Sequence, residues 1–223
     1  MRDEDYDEYE DNPDHDGGIR TAVRAWFEDL FAAKARYGPI ASWDVSEVTV
    51  LSRLFKDRAG FNEDISRWNV SNVEYMSSMF WGATSFNGDL SRWNVSNVVY
   101  MDRMFRDATS FSGDLSSWNV SNVVNMNHMF NDATSFDGDL SRWNVSRVEY
   151  MGGMFLGAGS FNGDLSSWDV SSVGDMDHMF SGATSFDHQL GGAWAISTAD
   201  KGGRFNSSPG TIAGKTKRAN GTI

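Results

Sequence analysis

The sequence predicts an α/β solenoid, a right-handed stack of six 25-residue coils in which a short strand alternates with a helix. Three observations predict it. Trp43, Trp68, Trp93, Trp118, Trp143 and Trp168 recur at intervals of 25 residues, and a fixed period of about 20–50 residues marks a repeat architecture. From each tryptophan the same pattern follows, Trp-[Asn/Asp]-Val-Ser-x-Val-x-x-Met-x-x-Met-Phe-x-x-Ala-x-Ser-Phe-x-Gly-Asp-Leu-Ser-x. One such unit also carries more apolar side chain than it can hide alone. Stacking turns those residues into continuous buried rows, worth roughly 25 cal/mol for each Å² of apolar surface covered.

Taken in order, residues 1–18 (MRDEDYDEYEDNPDHDGG) are charged and polar and read as a disordered acidic tail. Residues 19–42 are a cap and lead-in. A helix is predicted from Ile19 to Arg36, with Ile19, Ala22, Val23, Trp26, Phe27, Leu30, Phe31 and Ala35 on one apolar face. Tyr37-Gly38-Pro39 stops it, with glycine at the C-cap. Its role is to cover the apolar end of the first coil.

Residues 43–192 are the six coils. In the second, Val73, Met76, Met79, Phe80 and Ala83 form one stripe, which predicts a helix over about Asn72 to Trp81. Ser71 is placed to cap it, and Glu74 and Glu149 lie three residues after Ser71 and Ser146 as capping boxes. The stretch Ser85 to Val95 reads as extended chain with a kink between two short strands, stacked on its neighbours as a parallel ladder. The first copy is imperfect: Leu51 and Leu54 replace the methionines, Arg58 the alanine and Glu63 the glycine. The sixth has Gln189 where others have aspartate, and Trp194 comes one residue late. Residues 193–223 read as an irregular cap to about Phe205 and then a loose basic tail.

The net charge is −12, and the chain has no cysteine. An acidic solenoid is a poor electrostatic match for nucleic acid or anionic lipid. Without cysteine there is no disulfide framework, no thiolate metal site and no thiol nucleophile. No run of about 18 apolar residues predicts a membrane span. The N-terminus lacks the basic and apolar regions of a secretory leader, which points to an intracellular chain.

The run Trp-Asn-Val-Ser-Asn-Val-x-x-Met-x-x-Met-Phe, followed by Ala-Thr-Ser-Phe-x-Gly-Asp-Leu-Ser, resembles the repeat of BspA-family leucine-rich-repeat surface proteins. Similar repeats occur in mycoplasma-type lipoproteins and in proteins of unicellular algae. The resemblance covers about residues 43–192, with a similar lead-in at Tyr37-Gly38-Pro39-Ile40. It implies a leucine-rich-repeat-like solenoid, a binding or adhesion role, and a cell-surface or secreted location. No ligand follows from it, and the chain departs from those proteins in showing no export signal or anchor.

Several recurring residues carry possible chemistry. Asp64, Asp89, Asp114, Asp139 and Asp164 form an acid row, which calcium could bridge; the favoured reading is that each accepts hydrogen bonds at a turn. Asn69, Asn94, Asn119 and Asn144 begin Asn-Val-Ser sequons, read as structural hydrogen-bonders, whereas the sequons at Asn206 and Asn220 are more accessible. Thr84, Thr109, Thr134 and Thr184 make a hydroxyl row that would suit ice or mineral contact. His128 and His178 occupy one repeat position two copies apart, about 20 Å if the coils carry packed helices, too far to share a metal. No catalytic, cofactor or metal set stands out.

The predicted function is a non-catalytic protein-interaction or adhesion module with a protein or cell-surface ligand. The alternative is a structural ice- or mineral-contacting solenoid. Recognition is assigned to the helix side, where the copies differ from one another. The candidate face is Tyr75, Trp81, Tyr100, Arg103, Arg106, His128, Tyr150 and Leu156, because tryptophan, tyrosine and arginine are enriched at the energetic centres of interfaces.

Overall fold

The computed structural model describes residues 18–199 and 202–213. The acidic run 1–17 and the tail beyond residue 213, read above as disordered and loose, lie outside the described residues.

Two helices stand where the sequence predicted one: α1 spans Ile19–Glu28 and α2 spans Leu30–Tyr37. The break is at Asp29, extended at φ −148° and ψ 93°, whose carboxylate accepts the N–H of Ala32 at 3.0 Å. Aspartate is a strong N-cap, so a second helix starts here in place of a continuation. The predicted apolar face is divided by this turn. Ile19, Ala22, Val23 and Trp26 are buried, while Leu30, Phe31 and Ala35 face solvent, Phe31 at 87% exposure. Trp26 meets Trp43 edge-on at 5.5 Å, and Phe27 meets Phe61 at 6.1 Å, so α1 covers the aromatic residues of the first copy. Gly38 ends α2 in the left-handed region at φ 75°.

Between Ser42 and Gln189 there is no regular helix. The helix predicted over Asn72–Trp81 is corrected to a run of tight turns, and neither the Ser71 cap nor the glutamate capping boxes exist. The backbone shows why. In the first copy the N–H groups of Leu51, Arg53, Phe55 and Asp57 donate to the carbonyls of Tyr75, Ser77, Met79 and Trp81 in the next copy. The alternating N–H groups of Leu54, Lys56 and Arg58 donate three residues back, to Leu51, Arg53 and Phe55. A helix spends its interior donors within itself, whereas this segment turns every second one sideways. Two residues per copy take left-handed backbone to do so. One column is Arg53, Ser78, Arg103, His128, Gly153, His178 and Gly203; the other is Asp57, Gly82, Asp107, Asp132, Gly157, Gly182 and Ser207. Isolated parallel bridges join Val50, Tyr75, Tyr100, Asn125, Tyr150 and Asp175 in succession.

The buried side chains line up copy on copy. Phe80, Phe105, Phe130 and Phe155 are fully buried and stack at 5.5–5.6 Å with planes 6–7° apart. Phe86, Phe111, Phe136 and Phe161 form a second stack at 5.9–6.0 Å. Within a copy the two rings meet at about 4 Å, as in Phe105–Phe111 at 4.0 Å. Trp118, Trp143 and Trp168 make a third stack at 6.4 Å. Each indole also donates to a carbonyl of the previous copy, Trp93 to Ile65, Trp118 to Leu90, Trp143 to Leu115 and Trp168 to Leu140. The late tryptophan keeps this partner, Trp194 donating to Leu165 at 3.0 Å.

The predicted parallel strand ladder through Ser85–Val95 is absent. Side chains join the copies here instead: the N–H groups of Asn87 and Ser112 donate to the Oδ1 atoms of Asn62 and Asn87 at 2.9 Å, and the Ser117 hydroxyl donates to the Ser91 carbonyl at 2.7 Å. The described strands are β1, Gln189–Leu190, and β2, Thr211–Ile212, paired in parallel; a short α3 spans Ala193–Ile196. The C-terminal region is more regular than predicted. His178, Phe180 and Gly182 donate to the carbonyls of Gly202, Arg204 and Asn206, and Phe205 stacks on Phe180 at 5.2 Å. Residues 202–206 therefore repeat the turn segment a seventh time, with Arg204 in a methionine column. Arg204 is 2% exposed against Met176, and burial lowers its pKa to about 10.

Candidate functional site

The recurring polar residues on the constant side are engaged in holding turns. The carboxylates of Asp64, Asp89, Asp114, Asp139 and Asp164 each accept the N–H of the serine two residues on, at 2.9–3.0 Å. Asn69, Asn94, Asn119 and Asn144 accept the serine N–H of their sequons in the same way at 3.2 Å. Hydrogen bonds from the serine hydroxyl and N–H hold the carboxyls of Asp89 and Asp114 below the usual range, against the smaller repulsion of neighbouring aspartates. The threonine row also points its donors inward, Thr84 to Ala59 at 3.3 Å and Thr109 to Thr84 at 3.4 Å. That leaves it less suited to ordering a water layer than the sequence suggested.

The variable side is different in kind. Trp81 is half-buried and lies between two cations, the Lys56 ammonium at 4.1 Å and the Arg106 guanidinium at 4.7 Å from the ring. Its indole N–H donates to Asp107 at 3.0 Å, and Arg106 lies 3.4 Å from the same carboxylate oxygen. Beside this cluster is a cavity of about 180 Å³ lined by Arg53, Lys56, Ser77, Ser78, Trp81, Asp102 and Arg103. Asp102, 2% exposed, forms its floor: it accepts the Ser77 hydroxyl at 2.6 Å and pairs with Arg103 at 3.2 Å. Lys56 and Arg106 thus flank the Trp81 ring and Arg53 and Arg103 line the cavity beside it, with the carboxylates of Asp57, Asp102 and Asp107 nearby, in a chain of net charge −12.

The structure brings together Trp81, Arg103 and Arg106 of the predicted face. Tyr75 and Tyr100 stack on each other at 5.3 Å through bridged backbone, both half-buried. His128 is partly buried; burial first, and then Arg103 and Arg106, lower its pKa. Tyr150, 44% exposed, and Leu156 stand in a later copy, apart from the tryptophan cluster. These positions are rows of a turn ladder and not of helices. Bridged neighbours lie about 4.8 Å apart, so His128 and His178 are nearer than the predicted 20 Å. Gly153 is stacked between them, and the His128 ring occupies the space where a Cβ there would stand.

Arg53 and Lys56 were not on the predicted face, although their columns were. Arg53 shares a column with Ser78 and Arg103, and Lys56 with Trp81 and Arg106. Reading those columns back into the imperfect first copy is the signal that finds them.

Among the described residues no helix is long and apolar enough to cross a membrane. A comparison with curated proteins finds no match. The model of a repeat family described as Mycoplasma protein of unknown function, DUF285, matches residues 22–134 and again residues 112–209. Those two matches run from α1 through the seventh turn segment, and the chain belongs to this family.

Proposed function

We propose that the chain is a non-catalytic interaction module, a right-handed leucine-rich-repeat-like solenoid whose turn ladder presents a binding face for an acidic protein partner. The observation that carries the reading is the pairing of Lys56 and Arg106 over the Trp81 ring, with Arg53 and Arg103 lining the cavity beside it. Such a cluster combines long-range attraction for carboxylates with an aromatic plane for short-range contact. The opposite side of each copy spends its recurring aspartate and asparagine carbonyl groups on internal turns, which supports placing recognition here. The copy-to-copy hydrogen bonds and aromatic stacks support the solenoid reading, and the family's repeat, which also occurs in BspA-like surface proteins, supports a surface setting.

The test is a titration of a fluorescein-labelled acidic peptide, rich in glutamate and tyrosine, followed by anisotropy. Arg103→Glu and Trp81→Ser should each weaken binding at least tenfold with an unchanged circular dichroism spectrum. Asn94→Ala, on the constant side, should leave affinity unaltered. Loss of binding in Asn94→Ala alone would place recognition on the other side. Equal binding of a single-stranded oligonucleotide would mean a general polyanion site.

A further inference from the structure

The basic face lies near the start of α1, where the most acidic stretch of the sequence ends. Arg20, in the first turn of α1, donates from its guanidinium to the carbonyl of Ser52 at 2.9 Å. Ser52 adjoins Arg53, which lines the cavity under Trp81. The chain preceding α1, residues 1–17, lies outside the described residues; its sequence holds nine acidic residues against one arginine, with Tyr6 and Tyr9 among them. We propose that this segment is a tethered ligand of the basic face, competing there with an outside acidic partner. The inference rests on the reading of that face as a site for acidic protein.

Three physical points support it. Reach is ample, because 17 residues can extend to about 60 Å at most. Charge is complementary, since the segment is the densest run of acids in the sequence and Arg53, Lys56, Arg103 and Arg106 are clustered on one side of the first three copies. Chemistry also matches, because a tyrosine flanked by carboxylates offers the aromatic and anionic contacts that Trp81 and its two cations accept. A short tether gives an effective concentration on the order of 1 mM. Against a free-peptide Kd of about 100 µM, that occupancy weakens an outside competitor about tenfold. The device is a regulator: whatever neutralises or removes the segment exposes the face, and added negative charge on Tyr6 or Tyr9 would close it further.

The experiment uses the full chain throughout. One variant replaces the carboxylates of Asp3, Glu4, Asp5, Asp7, Glu8 and Glu10 by the matching amides. A second carries Lys56→Glu and Arg103→Glu, and a third combines the two sets. The probe is a fluorescein-labelled peptide of residues 1–17 in low salt, read by anisotropy, with melting curves as the folding control. The expected result is at least tenfold tighter binding to the amide variant than to the native chain, and loss of that binding in the combined variant. Equal affinity for the native and amide chains, lost on reversing Lys56 and Arg103, overturns the tethered-ligand proposal while leaving the face as an acidic-partner site. No binding to the amide variant overturns both readings.

Discussion

Trp118 tests whether the indole ladder holds the stack, and through which of its two contacts. The ring is 3% exposed and lies parallel to Trp143 at 6.4 Å. Its N–H donates to the carbonyl of Leu90, a fully buried residue, at 3.0 Å. Trp118→Ala removes the ring, for which core aromatics cost about 3–5 kcal/mol, and strands the Leu90 carbonyl at about 1–3 kcal/mol more. Trp118→Phe keeps most of the stacking surface and loses the donor, so it should cost about 1–3 kcal/mol. In a domain of this size each kcal/mol lowers Tm by about 2–4 °C. Urea unfolding followed by far-ultraviolet circular dichroism should therefore rank native above Phe above Ala. Hydrogen exchange should quicken most around Leu90 and Trp118, because each copy touches only its neighbours. A phenylalanine variant as stable as the native chain would show that the indole bond contributes nothing. An alanine variant as stable as native would show that the ladder is not the core.

Deleting residues 93–117 removes one whole copy and joins Arg92 to Trp118, so every bond spaced by 25 residues finds an equivalent partner; a folded chain with a lower Tm is expected, and loss of cooperative unfolding would refute additive stacking. The carboxyls of Asp89, Asp114 and Asp139 titrate below their ordinary value, chiefly through serine hydroxyl and N–H donors. Their folded-state pKa is depressed, so their contribution is complete above about pH 4 and fades as pH falls through the folded value. Melting at pH 2–7 should show that fall, and replacing all three by asparagine should flatten it. Because the same carboxylates already accept backbone N–H groups, melting in millimolar calcium and in chelator should coincide.

The period and the buried columns were legible in the sequence, because tryptophan, valine, methionine and phenylalanine at fixed spacing can hardly be placed outside a core. The backbone between them was not. Val73, Met76 and Met79 are spaced by three, and the i, i+3, i+6 stripe of a helix is shared by a run of three-residue turns. What separates the two is the left-handed pair at positions such as Arg103 and Asp107, and arginine gives no warning of that conformation. Asp29 was legible in principle, since it stands three residues before Ala32 as a cap, but the apolar face of Ile19–Phe31 concealed the break. Arg204 hid the seventh turn segment by replacing a methionine, although Phe205 keeps its distance of 25 from Phe180. On the candidate face, tryptophan and arginine were found by asking which columns vary. Lys56 shares a column with Trp81 and Arg106, but it stands in the imperfect first copy, whose departures at Leu51, Leu54, Arg58 and Glu63 mask that column.

The left-handed column also bears on why the variable face is variable. Glycine occupies it in Gly153 and Gly203, so no side chain is needed there for the ladder to form. Arginine stands at the same backbone conformation in Arg53 and Arg103, at φ 59° and 56°. A residue with a Cβ in that region is disfavoured by about 1–2 kcal/mol. The stacking bonds at this column run from backbone N–H to backbone carbonyl, Arg53 to Ser77 and Arg103 to Asn127, so the side chain adds nothing to them. Two arginines therefore sit where glycine would be easier, and both line the one cavity that carries Trp81 and Lys56. Arg103 offsets part of that cost inside the chain, because it pairs with the buried Asp102 carboxylate at 3.2 Å; under the reading proposed above, an acidic partner would engage both guanidinium groups from outside.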